Sequence, residues 1–110
     1  MTAFQIAGRT IGAGASPYII AELGINHGGD LDTAKRMLHA VAETGADAAK
    51  LQVFQTARFL SRSSAYFDVL NDAVLPEEAI RELFALGETL GVTLFSSVFD
   101  APSADLMERL

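Results

Sequence analysis

Two charges stand where apolar residues belong. The runs Tyr18–Gly24 and Asp47–Phe54 are short and mostly apolar, the pattern of strands covered on both faces, yet they carry Glu22 and Lys50. Burying either charge without a partner is costly. Side chains alternate along a strand, so Ile20, Glu22 and Gly24 share one face of the first run, and Ala48, Lys50 and Gln52 share one face of the second. Both charges fall in the C-terminal half of their run, the end at which parallel α/β architectures place their sites. Two readings fit. One is a cross-strand Glu–Lys pair that fixes register, an arrangement seldom stabilising in net terms. The other is a charged mouth, with Lys50 and Gln52 facing an anionic ligand and Glu22 a polar one. The second explains why two costly residues occupy equivalent strand ends.

Asn26-His27-Gly28-Gly29-Asp30 lies just past the first run. Glycine lets backbone approach a ligand while Asn26 and His27 offer hydrogen bonds; the same residues also suit an ordinary turn before a capped helix. His27 has no second His or carboxylate at a ligand spacing, so it is not a metal signal. His39 sits beside a helical stripe and reads as a surface or packing residue. Ser96 and Ser97 close a third run, Val92–Val98, and a hydroxyl there can contact phosphate or carboxylate. Which serine faces inward depends on register. Gly12-Ala13-Gly14 precedes a strand rather than following one, the wrong context for dinucleotide binding.

The elements that must position these residues follow from periodicity. Phe4–Ile6 and Arg9–Ile11 around Ala7-Gly8 read as a small hairpin. Asp30 or Asp32 can cap a helix whose stripe is Ala34, Met37, Leu38, Val41 and Ala42, with Gly45 closing it. Residues 55–75 are irregular, and a connection of that length is usually functional or partly helical. Pro76 suits the first turn of a helix carrying Ile80, Leu83, Phe84, Gly87 and Leu90, ended by Gly91. Asp100 can cap a last helix carrying Leu106, Met107 and Leu110, in which the chain stops. Strands alternating with helices predict a parallel sheet. Three strands with their helices on one side leave the other face bare, and a (β/α)8 barrel needs about 250 residues. The expectation is an α/β fold: an N-terminal hairpin plus three βα units of a truncated TIM barrel, with residues 1–110 as a partial domain.

Composition narrows the rest. Half of the 110 residues are hydrophobic, which excludes a disordered chain, and the net charge is −6. An acidic surface repels phosphate backbones and anionic lipid, so nucleic-acid and membrane partners are not expected. No cysteine is present, excluding disulfides and thiolate-ligated metal. No apolar run approaches a membrane span and the N-terminus lacks a signal-peptide pattern, so a cytoplasmic protein is expected.

Taken together, Ala21-Glu22-Leu23-Gly24-Ile25-Asn26-His27-Gly28-Gly29, Gly45-Ala46-Asp47-Ala48-Ala49-Lys50-Leu51-Gln52 and Phe95-Ser96-Ser97-Val98-Phe99-Asp100 resemble the sialic acid synthase family, which makes N-acetylneuraminic, legionaminic and pseudaminic acids or acts in spore-coat polysaccharide synthesis. The family pattern is A-E-[IL]-G-x-N-H-x-G, then G-A-[DE]-x-x-K-x-Q, then a strand ending S-T-P-F; Ser97-Val98 stands here in place of Thr-Pro. The resemblance implies a TIM barrel whose bottom the hairpin closes, a C-terminal antifreeze-like domain, and a homodimer. It implies condensation of phosphoenolpyruvate with an N-acetylated amino sugar such as N-acetylmannosamine, releasing phosphate by C–O cleavage, with a divalent metal, typically manganese. By the same resemblance Lys50 binds phosphoenolpyruvate, Gln52 lies near it and the metal, and Glu22 lies near the reacting sugar carbon. Asn26 and His27 shape the site, and Ser97 keeps a hydroxyl for ligand contact. The metal ligands and the C-terminal domain have no match in these 110 residues, so this segment alone is expected to be inactive. Other phosphoenolpyruvate-using TIM-barrel sugar-acid synthases are an alternative, against which Asn26-His27 with Lys50-Leu51-Gln52 argues. A non-catalytic interaction fragment is another.

Overall fold

In the computed structural model, which describes residues 2–110, the chain begins with the expected hairpin, β1 (Phe4–Ile6) and β2 (Arg9–Ile11). Its two-residue turn has φ of 46° at Ala7 and 82° at Gly8, the positive pair that matches the twist of a tight hairpin. Arg9 pairs with the carboxylate of Asp47, and Asp47 accepts the Ile19 N–H at 2.7 Å. Since Ile19 and Asp47 immediately precede two neighbouring strands of the parallel sheet, this triangle fixes the hairpin at the N-terminal end of the sheet.

That sheet has three parallel strands in the order β3 (Ile20–Gly24), β4 (Ala48–Val53), β5 (Thr93–Val98). Each begins one or two residues later than periodicity predicts, because the residues before it serve loops. Helix α1 (Leu31–Thr44) is capped by Asp30, whose carboxylate accepts the Thr33 N–H at 2.6 Å, and ends at Gly45 in the left-handed region. Residues 55–75 form two short helices, α2 (Thr56–Phe59) and α3 (Phe67–Asp72). In α4 (Glu77–Leu90) Pro76 is the N-cap, one position before the first turn where it was expected. Helix α5 (Ala101–Glu108) is capped by Asp100 and closes at Glu108. Leu110 therefore lies beyond the helix and exposed, not on its apolar stripe.

Alternation then sorts the sheet into two faces. Ala49, Leu51, Val53 and Leu94 point to the helices and pack with Leu38, Val41, Ile80, Leu83 and Leu106 in one core. The opposite face carries Ile20, Glu22, Lys50, Gln52, Phe95 and Ser97. Ile20 and Phe95 remain exposed there, at 42% and 37%, the bare face expected of a sheet with its helices on one side. One departure occurs in β3. Glu22 pairs with Lys50 but Gly24 pairs with Leu51, so Leu23 is an extra, bulged residue. Gly24, at φ 57°, thus leaves the face it was expected to share with Ile20 and Glu22.

Candidate active site

The register of the sheet brings the charged residues together. Glu22 and Lys50 are directly opposed across β3 and β4, and the Lys50 ammonium lies 2.5 Å from the Glu22 carboxylate. The pair is not sealed: the Lys50 side chain is 26% exposed and that of Glu22 58%. It stands on the open face, near the C-terminal strand ends, with solvent access to both groups.

Two rungs further, back on the same face, Gln52 pairs with Ser97, while the intervening Leu51 pairs with Ser96. This settles which serine shares the face of Lys50. Ser97 lies with Lys50 and Gln52. Ser96 lies on the helix side, where its hydroxyl donates to the Ser97 carbonyl at 2.7 Å. Val98 takes the last position of the β5 ladder opposite Val53. An ammonium, a primary amide and a hydroxyl within two rungs on one face can together bind a carboxylate or phosphate.

The loop after β3 divides its two polar residues. Asn26 donates through Nδ2 to the Leu23 carbonyl at 3.0 Å, spanning the bulge, and its amide lies beside the space above Gly24 that the Gln52 amide also borders. His27 is buried, only 4% exposed, and lines a small cavity with Leu51, Val53, Leu75 and Ile80, at whose edge Gln52 also lies. Its Nδ1 accepts the Gly29 N–H at 3.0 Å, so a neutral ring carries its proton on Nε2. Burial pushes the imidazole below its ordinary value, with a hydrogen bond to the Gly24 backbone acting in the opposite sense. The structure thus places Glu22, Lys50, Gln52 and Ser97 on one surface and Asn26 at its edge; His27 supports the loop from beneath. Gly29 itself is required by contact: at φ 81°, a Cβ there would run into the Asp72 carbonyl oxygen.

Sequence reasoning missed the rim. Phe54 and Phe99, each the first residue after its strand, stack edge-to-face with centroids 6.0 Å apart, and Phe59 joins both at 5.2 and 5.7 Å. An aromatic directly after each of two paired strands is a signal that could have been read. Asp100 also does more than cap α5. One carboxylate oxygen accepts the Ser103 N–H at 2.8 Å and the other the Gln55 N–H at 2.6 Å. The second partner is 45 residues away, beyond any local pattern.

Among the described residues no three His, Asp or Glu side chains converge as metal ligands, and Glu22 is already engaged by Lys50. No helix among them is long and apolar enough to cross a membrane.

Comparison with known proteins agrees with this geometry. The model of the NeuB family matches residues 37–110. The spore coat polysaccharide biosynthesis protein SpsE of Bacillus subtilis is 39% identical over 119 aligned residues, covering 98% of this chain and 32% of its own. The N,N'-diacetyllegionaminic acid synthase of Legionella pneumophila is 34% identical, covering 90% and 32%. The crystal structure of the N-acetylneuraminic acid synthetase of Leptospira borgpetersenii superposes with a TM-score of 0.93 at 25% identity, over 98% of this chain and 38% of that one. The chain spans about a third of the length of the curated relatives it matches.

Proposed function

The chain belongs to the NeuB family, and from that premise we propose that it is the N-terminal part of a TIM-barrel synthase that condenses phosphoenolpyruvate with an N-acetylated amino sugar. The product is a nonulosonic acid, with phosphate released. The observation that carries the reading is the in-register Glu22–Lys50 pair on the open sheet face, with Gln52 and Ser97 two rungs further along the same face.

On this reading Lys50 holds the anionic end of phosphoenolpyruvate by a charge-assisted contact. Gln52 and Ser97 add hydrogen bonds to the same ligand. Glu22, held against Lys50 but open to solvent, faces the sugar carbon that is attacked. The enol carbon of phosphoenolpyruvate forms the new C–C bond with the sugar aldehyde, water adds at the adjacent carbon, and the C–O bond to phosphate breaks. By family resemblance a divalent metal such as manganese would supply Lewis-acid polarisation of the aldehyde. The described residues do not fit it as a ligand set, so its ligands belong to further strands of the barrel. The same reading implies further barrel strands, a small C-terminal domain, a cytoplasmic location and a homodimer. Residues 1–110 alone are then inactive.

The test is direct. The full-length protein is incubated with phosphoenolpyruvate, manganese and a panel of N-acetylated amino sugars including N-acetylmannosamine. Stoichiometric release of phosphate and a nonulosonic acid is the expected result; consumption of phosphoenolpyruvate with a sugar lacking the N-acetyl group alone would point to a different synthase.

A further inference from the structure

The register of β4 and β5 does not stop where the strands stop. Paired residues differ by 45 in number from Ala48 and Thr93 to Val53 and Val98. The same offset joins Phe54 to Phe99, whose rings meet at 6.0 Å, and Gln55 to Asp100, whose carboxylate takes the Gln55 N–H at 2.6 Å. Two rungs of the ladder are thus continued by side chains after the backbones have begun to diverge into α2 and α5. A β-strand end about to enter a loop ordinarily leaves its N–H groups to water. Here a carboxylate substitutes for the missing strand carbonyl.

Asp100 makes this possible because its two oxygens work in different directions. One caps α5 through Ser103, which is itself buried. The other reaches across to Gln55, whose own side chain is held by Arg58 at 2.8 Å. The cap alone needs only one acceptor, and Ser or Asn would supply it. A carboxylate at this position therefore exceeds what the helix requires.

We propose that Asp100 is a positioning residue that latches the mouth ends of β4 and β5, holding Gln52 and Ser97 at a fixed separation three residues below the latch. This rests on the reading that Gln52 and Ser97 contact phosphoenolpyruvate. A latch at Gln55–Asp100 and an aromatic contact at Phe54–Phe99 stiffen the rung that the ligand must span.

Asp100→Asn separates latch from cap, since the amide oxygen can still accept from Ser103 while the amide nitrogen cannot accept from Gln55. In the full-length protein we expect hydrogen exchange at the Gln55 amide to accelerate roughly 10- to 100-fold, with Ser103 still protected. The KM for phosphoenolpyruvate rises roughly tenfold while the KM for the amino sugar stays put, a split that a merely destabilised protein does not show. Unchanged exchange at Gln55 overturns the latch, as does accelerated exchange with an unchanged phosphoenolpyruvate KM. A wild-type protein that consumes no phosphoenolpyruvate overturns the proposed function instead, and the exchange measurement still decides the latch.

Discussion

Glu22 and Lys50 occupy the same rung of a parallel sheet, their charged atoms 2.5 Å apart, yet neither is buried in the core. A solvent-accessible ion pair contributes little to stability, about 0–1 kcal/mol, so stability does not account for two charges on a strand face. Glu22→Gln is therefore expected to shift the unfolding free energy by less than about 1 kcal/mol while lowering turnover in the full-length enzyme. Parallel denaturant titration and phosphate-release assays check this. A variant that unfolds readily but turns over normally would make the pair a register device.

Lys50→Ala carries the sharper expectation. Loss of a charge-assisted contact to an anion costs about 1.5–3 kcal/mol, which lowers phosphoenolpyruvate affinity on the order of 10- to 100-fold. Because the same ammonium also holds Glu22, condensation by the full-length protein is expected to be abolished. Near-normal turnover in that variant would remove Lys50 from the site.

The two serines offer an internal control. Ser97 faces the Gln52 side of the sheet and Ser96 the helices. Ser97→Ala is expected to raise the phosphoenolpyruvate KM roughly tenfold, and Ser97→Thr to preserve it. Ser96→Ala, which loses only a local bond to the Ser97 carbonyl, leaves that KM unchanged. The reverse pattern would mean that the ligand approaches from elsewhere.

Most of this arrangement is legible in the sequence, for identifiable reasons. Glu22 and Lys50 announce themselves because charge in an apolar strand is costly, and Gly45 and Gly91 announce helix ends because their φ of 74° and 70° suits glycine. Three kinds of information are not local. The bulge at Leu23 leaves no composition signal, so the face of Gly24 was misjudged. Inward orientation of Ser97 depends on the pairing with β4. His27 looks like a ligand-facing residue, whereas it is buried beside a small cavity that the distant residues Val74 and Leu75 also line.

That burial has a pH consequence. The folded value of His27 lies below its ordinary 6.5, so between the two the unfolded chain binds more protons and stability rises with pH. The contribution is complete above pH 6.5 and declines as pH falls toward the folded value. Thermal midpoints of the full-length protein at pH 7.5, 6.5 and 5.5 should fall in that order, and His27→Gln should flatten the dependence. At lower pH the caps add to the loss. Asp30 is held below its usual range by the Thr33 N–H; for Asp100 desolvation pushes upward, and the hydrogen bonds from Gln55 and Ser103 together outweigh it and hold the carboxyl below its usual range. Both are stabilising above the carboxylate range and lose that contribution as pH falls through their lowered values.

The open face predicts how the 110-residue chain behaves in solution. β3 and β5 are both edges of a three-stranded parallel sheet, and unpaired edges recruit other strands. Beside them Ile20, Phe95 and Phe99 are 42%, 37% and 47% exposed, a surface that water does not favour. The helix side, by contrast, is packed, with Leu38, Leu51 and Leu83 essentially inaccessible. One finished face and one unfinished face favour self-association through the sheet. Sedimentation velocity is expected to show concentration-dependent species larger than 11.7 kDa, and Phe95→Lys, which places a charge on the exposed rung beside Lys50, to reduce them. A cooperative melt from a stable monomer would show instead that the helix-side core suffices and that the open face is tolerated in water.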